Sequence, residues 1–261
     1  MTVTPPVQAT PYTPLRRRLL LAAALTWASA LPACGQQGSD MQEDPQSKEK
    51  FGSPQAAALY RAAAAGDLER ARQLIAQGAD LNAANAREMT LLETAMRDGN
   101  RRAFDSLLDL GADPAYLGTH RDTPLHYATI LPDPSWLKAL LARGASTEVH
   151  NSMGDTLLFS ALGADTEPHV QILLDAGADI HARNNSGETL LHQAASINRF
   201  DDVVRFLELG VDPTLKDDIG YTFQHAFFNT PERLLNPQAK AARAKVRAWL
   251  RSRNIPLEER Q

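Results

Sequence analysis

A single pattern recurs along the chain with a period of 33 residues, and this period constrains the fold more than any one side chain does. Threonines stand at Thr90, Thr123, Thr156, Thr189 and Thr222, and glycines at Gly78, Gly111, Gly144, Gly177 and Gly210. Self-similarity at such a spacing means small units that cannot bury their apolar faces alone and must stack on one another. With 43% hydrophobic residues in a chain of 261, there is enough apolar material for one continuous core along the stack.

Each unit opens on a variant of T-P-L-H-x-A, which is whole at Thr123-Pro124-Leu125-His126-Tyr127-Ala128. The other versions run from Ala57-Ala58-Leu59-Tyr60-Arg61-Ala62 to Thr222-Phe223-Gln224-His225-Ala226-Phe227. Threonine caps a helix by accepting from an orphan backbone N–H, and proline tolerates the first helical position, so a helix is expected to start at each Thr. A second helix carries three apolar columns: Ala71, Phe104, Leu137, Val170, Val203; Leu74, Leu107, Leu140, Leu173, Phe206; and Ile75, Leu108, Leu141, Leu174, Leu207. Within a helix these positions lie three and four apart and share the core-facing side. The closing Gly supplies a left-handed helix end. Asn85, Asn151, Asn184 and Asp217 then mark tight turns. Gly118 breaks that column, and Glu88 and Arg121 replace the glycine seen at Gly154, Gly187 and Gly220, which predicts altered second and third turns.

From about residue 54 to residue 256 these motifs resemble the ankyrin repeat, a β-turn finger followed by two antiparallel helices. The resemblance implies a mainly α chain: an ankyrin-repeat solenoid of about six helix-turn-helix units with β-turn fingers, over residues 53–258. In that family partners meet the finger tips and the exposed side of the first helix. Carried over residue by residue, this assigns partner contact to Arg61, Thr94, Tyr127, Ser160 and Gln193, and further along the same helices to Arg97, Asp98, Ile130, Leu131, Ser196 and Asn198. Tyr127, Ile130 and Leu131 with the finger residues Tyr116 and Leu117 form an apolar centre rimmed by polar neighbours, as at binding hot spots. A competing reading packs Ile130 and Leu131 against the next loop, where Pro132, Pro134 and Trp136 make the turn irregular.

The sixth unit departs most from the period. Its second helix is expected around Val246, Trp249 and Leu250, with Asn254 as its cap. Lys240, Arg243, Lys245, Arg247, Arg251 and Arg253 surround it, read either as the solvated face of a terminal cap or as a docking patch for an acidic partner or anionic headgroups.

Residues 1–33 read as a secretory signal: Arg16, Arg17 and Arg18 precede an apolar run from Leu19 to Ala33, shorter than the roughly 18 to 20 residues that span a membrane. Leu31-Pro32-Ala33-Cys34-Gly35 resembles the lipobox of bacterial lipoproteins, which implies lipid attachment at Cys34; Pro32 departs from the residues that family prefers there. Cleavage after Ala28-Ser29-Ala30 is the alternative and would release a soluble periplasmic protein. Cys34 is the only cysteine, so no intramolecular disulfide forms. Gly35 after the Cys resembles cargo passed to the outer membrane. Residues 34–52 are polar enough to read as the lipidated N-terminus and a flexible tether.

Chemistry is scarce. His126, His192 and His225 repeat in register, but stacked helices lie about 8–10 Å apart, too far to share an ion. The resemblance gives them a structural bond to backbone near the turn. His120, His150, His169 and His181 are expected on fingers or helix surfaces. No nucleophile elbow, second cysteine or phosphate-cradling loop is present, so neither an enzyme, a metal site nor a cofactor is expected. The net charge of −4 argues against nucleic acid. The expected role is a monomeric protein-binding module tethered on the periplasmic side of the outer membrane. It resembles immunity proteins that neutralise membrane-targeting toxins such as type VI secretion phospholipases. The alternatives are an accessory to a periplasmic enzyme such as catalase, or an ankyrin effector delivered into a host.

Overall fold

The structure, a computed structural model, describes residues 49–118, 122–162 and 167–258. The expected signal, Cys34, His120 and Arg121 lie outside the described residues.

Six helical pairs follow one another: α1 (Pro54–Ala65) with α2 (Leu68–Ala76), α3 (Leu91–Arg97) with α4 (Arg101–Asp109), α5 (Pro124–Ile130) with α6 (Ser135–Ala142), α7 (Leu157–Ala161) with α8 (Glu167–Asp175), α9 (Leu190–Ser196) with α10 (Phe200–Leu209), and α11 (Gln224–Phe227) with α12 (Pro237–Ser252). The helix starts follow the threonines in the four inner units, where α3, α5, α7 and α9 begin at the next residue. Thr90 closes a capping box, accepting from Glu93 N–H at 3.2 Å while the Glu93 carboxylate accepts from Thr90 N–H at 2.6 Å. The outer units depart from the expectation. The first helix starts at Pro54 behind the cap Ser53, three residues ahead of Ala57, and α11 starts at Gln224, two residues beyond Thr222.

The finger turns are one device used four times. The side-chain oxygen of Asn85 accepts from Arg87 and Met89, that of Asn151 from Met153 and Asp155, that of Asn184 from Ser186 and Glu188, and that of Asp217 from Ile219 and Tyr221, all at 2.8–3.1 Å. The asparagines use their amide to reach the preceding unit: Asn85 donates to Lys50 O at 2.9 Å, Asn151 to Asp122 at 2.7 Å and Asn184 to Asp155 at 3.0 Å. The second finger is not altered as expected. Glu88 adopts φ +60, close to the φ +70 of Gly187, and the turn closes with the same isolated bridge, Ala84 to Thr90, that His150 and Thr156 make. Glu88 thus takes the glycine's place in a left-handed conformation that L-residues ordinarily avoid.

Two of the three apolar columns are fully in the core. Ala71, Phe104, Leu137, Val170 and Val203 are inaccessible, and Leu74, Leu107, Leu140, Leu173 and Phe206 are buried beside them. The third column is a rim: Ile75, Leu108, Leu141 and Leu174 are only partly buried, and Leu207 alone is inside. On the first helices Leu59, Leu92, Leu125, Leu158 and Leu191 face the same core.

Both ends of the stack are closed by segments the period does not include. The expected tether stops short of residue 52, because Phe51 is buried against the Tyr60 ring at 4.8 Å and Lys50 pairs with Asp98 at 2.8 Å. At the other end residues 255–258 take the place of a further finger. Gln224 donates to Pro256 O at 3.1 Å and accepts from Glu258 N–H at 3.2 Å. Arg243, expected on the basic surface of the last unit, is instead buried. It donates to Phe227 O and Thr230 O, each at 2.8 Å, and its guanidinium lies 5.6–5.8 Å from the Phe200, Phe227 and Phe228 rings.

Candidate protein-binding face

Of the expected residues on the fingers and first helices, the structure brings Arg97, Asp98 and Tyr127 together at the second and third units. Asp98 follows α3 and is the hub. It accepts from Lys50 at 2.8 Å, from Arg97 at 3.1 and 3.2 Å, and from the Tyr60 hydroxyl at 3.5 Å. Burial raises the Asp98 carboxyl's pKa, but the hydrogen bonds from Lys50 and Arg97 outweigh it and hold the group below the usual carboxylate range. Burial and the Asp98 charge push Tyr60 up to about 12, so it stays a hydrogen-bond donor. Burial also raises Tyr127, whose hydroxyl feels Arg97, Glu93 and Asp98. Lys50, Asn85, Arg87, Arg97 and Glu49 line a recess of about 330 Å³ beside this hub.

The third unit, next in the stack, carries the exposed apolar side chains. Tyr116 is 38% exposed, Leu117 49% and Ile130 54%. Tyr127 is half-buried, and Leu131 packs partly on the core. The two readings of this pair therefore divide: Leu131 is a packing residue and Ile130 an outward one. Arg61 is exposed on α1. Further along, Ser160 and Gln193 are half-buried, and Ser196 is exposed with its hydroxyl donating to Gln193 O at 2.9 Å. These last three lie on later units and do not join the hub.

Thr94 is a correction. It was expected to face a partner, yet it is wholly buried and its hydroxyl oxygen has no hydrogen-bond partner. In the second unit α3 presents Arg97 and Asp98 instead. Three outward residues are not marked by the repeating sequence pattern: Met153 and Ile219 at finger apices, 53% and 78% exposed, and Tyr221, two residues after Ile219. The signal was available, since an Asx turn needs no large apolar residue at its tip.

The histidines of the repeated motif are structural. His126 contacts Thr123 Oγ1 through Nδ1 at 2.8 Å and the Asp155 carbonyl of the next finger through Nε2 at 3.0 Å; His192 does the same with Thr189 at 2.9 Å and Tyr221 O at 3.0 Å. A carbonyl only accepts, so Nε2 carries the proton and Nδ1 receives the threonine hydroxyl. His225 departs from the pattern. It stacks on Tyr221 at 3.9 Å, and Gln224 makes the bond to the following segment. His169 is another correction: it is buried in α8, not on a helix surface. Among the described residues no three His, Cys, Asp or Glu converge as metal ligands. A larger cleft of about 650 Å³ lies at the inter-helix loops, but its charges already answer one another: Arg199 spans Glu167 at 2.7 Å and Asp202 at 2.6 Å, and Arg205 reaches Glu167 at 2.8 Å.

Stacked hairpins with a finger ladder, a closed core and an outward aromatic and aliphatic patch define a protein-interaction scaffold. A family model described as ankyrin repeats, in three copies, matches residues 59–149 and 125–217, and the chain belongs to that family. The ankyrin repeat domain of Bcl-3, described as a unique member of the IkappaB protein family, superposes with a TM-score of 0.58 at 27% identity, over 75% of this chain and 85% of that one. Protein PhlB of Serratia liquefaciens is 38% identical over 111 residues, 42% of this chain and 48% of PhlB, so the match spans about half of that relative.

Proposed function

We propose that the chain is an exported binding protein of the bacterial envelope, tethered through lipid on Cys34 at the periplasmic side of the outer membrane, which holds another protein against its finger and first-helix face. It acts as a monomer and by steric cover, and the partner is a membrane-targeting toxin such as a type VI secretion phospholipase, which makes the chain an immunity protein. A tether at the bilayer places such an inhibitor where a lipid-attacking enzyme works. The observation that carries the binding role is the exposure of three large apolar side chains on the third unit, Tyr116 and Leu117 on its finger and Ile130 at the end of its first helix, while the preceding unit carries the charged hub at Asp98. Exposed aliphatic and aromatic anchors next to satisfied polar groups are how protein interfaces concentrate their affinity.

The test uses the two most exposed members. Leu117→Ser with Ile130→Ser is expected to leave the thermal midpoint unchanged and to weaken partner binding by about tenfold or more. Unchanged affinity in a folded variant would remove this patch from the interface. Incorporation of labelled fatty acid, abolished by Cys34→Ala, tests the anchor independently.

A further inference from the structure

The C-terminal helix α12 carries five Lys or Arg residues and no Asp or Glu, in a chain whose net charge is −4. The structure sorts these cations into two kinds. Arg243 is consumed inside the fold by two backbone carbonyls and three phenylalanine rings. Arg247 pairs with Glu232 at 3.0 Å and lies over Phe228, and Arg253, just past the helix, lies over Trp249 at 3.8 Å. Lys240, Lys245 and Arg251 remain: all three are exposed, and none forms an ion pair within 4 Å among the described residues. Because α12 buries Ala242, Arg243, Val246 and Leu250 against the stack, helical periodicity puts these three on the outward side, with only Ala241, Ala244, Ala248 and Ser252 between them. Just ahead of α12, the 3₁₀ turn Glu232–Leu234 brings Glu232 beside Arg247 and Lys240, and leaves Arg233 exposed and Leu234 68% exposed.

We propose that this end of the stack is a docking surface for anionic lipid headgroups. A solvated cap needs no such excess of one charge, and the aromatic bordering this side, Trp249, is half-buried in a recess with Val204 and Leu207 and covered by Arg253, which leaves a protein partner no fully outward anchor on α12. An anionic bilayer asks for less. Long cationic side chains near its surface gain attraction without a shaped pocket, and the exposed Leu234 of the preceding turn offers apolar area to the interface. The surface is separate from the finger and first-helix face, so a partner held there and a membrane beneath α12 can be engaged together.

The test is co-sedimentation of the chain without its residues 1–33 and carrying Cys34→Ala, which removes both the signal's own membrane affinity and any acyl contribution, with vesicles of phosphatidylcholine alone or mixed with phosphatidylglycerol. The chain is expected to pellet only with the anionic vesicles and to be released by salt. Lys240→Glu, Lys245→Glu and Arg251→Glu together are expected to lower that affinity on the order of a hundredfold or more, from the roughly fivefold attraction each cation contributes. The same charge change at Arg70, Arg72 and Lys138, exposed on α2 and α6, is expected to leave most binding in place. Melting curves identify any variant that has lost its fold, and Leu234→Ser, at a side chain already in solvent, provides a second arm expected to weaken pelleting. Equal pelleting of the patch and control variants, or no preference for anionic vesicles, overturns the proposal. Patch-dependent retention on immobilised polyglutamate without vesicle binding overturns it in favour of an acidic protein.

Discussion

The Thr94 hydroxyl oxygen is buried without a partner, a condition that normally costs a protein about 1–3 kcal/mol. Thr94→Val keeps the shape and removes the unsatisfied group, so it is expected to leave stability unchanged or raise it by about 1 kcal/mol, and to leave partner affinity untouched. Chemical denaturation with a binding assay checks both; lost binding in a stable variant would return Thr94 to the interface. His126 makes a different demand. Burial sets its folded pKa below the ordinary value of 6.5, although the Asp155 carbonyl and nearby carboxylates pull the other way. The unfolded ring therefore binds its proton more tightly, and the His126 contribution is fully present above about pH 6.5 and is lost as the pH falls from there through the folded value. Protonation would also turn Nδ1 from an acceptor of the Thr123 hydroxyl into a competing donor. Stability measured between about pH 7.5 and pH 5 should fall more steeply for the wild type than for His126→Gln; parallel curves would mean that His126 is not the sensitive group.

At the scale of the element, the last hairpin is held by means the other five do not use. α11 is a four-residue helix, and what fastens α12 to it is the Arg243 side chain reaching Phe227 O and Thr230 O. Arg243→Ala leaves two carbonyls without their charged donor and opens space among three rings. The expected loss is about 3 kcal/mol. Since a stack of repeats is stabilised by nearest-neighbour contacts, that loss should be local: hydrogen exchange is expected to accelerate across residues 237–252 while α3 to α9 keep their protection. Uniform acceleration along the chain would show instead that the stack unfolds as one unit.

For the whole molecule, the repeat architecture was legible in the sequence because a fixed period, threonine caps, finger asparagines and two apolar columns all specify the same unit. The ends were not, because terminal units are closed by segments outside the period: Phe51 and Lys50 at one, Gln224, residues 255–258 and Arg243 at the other. A lone aromatic in a polar stretch was the only advance sign of the first. The face was legible in part. Arg97, Asp98, Tyr116, Leu117 and Ile130 are exposed and Tyr127 half-buried, but register cannot tell an outward residue from one a neighbouring helix covers, which is why Thr94 and Leu131 differ from Arg61 and Ile130. Nor does the period reveal Glu88 in a glycine's conformation, since a glutamate breaks the glycine column there.

The central claim, that the finger and first-helix face grips a protein while the second helices face away from it, is open to one direct measurement. A photo-crosslinking residue placed at position 130 or 117, and separately at Lys138 on α6, is irradiated in intact cells that express the chain. The expected result is a single crosslinked protein from positions 117 and 130 and none from 138. The same protein captured equally from position 138, or from there alone, would contradict the claim.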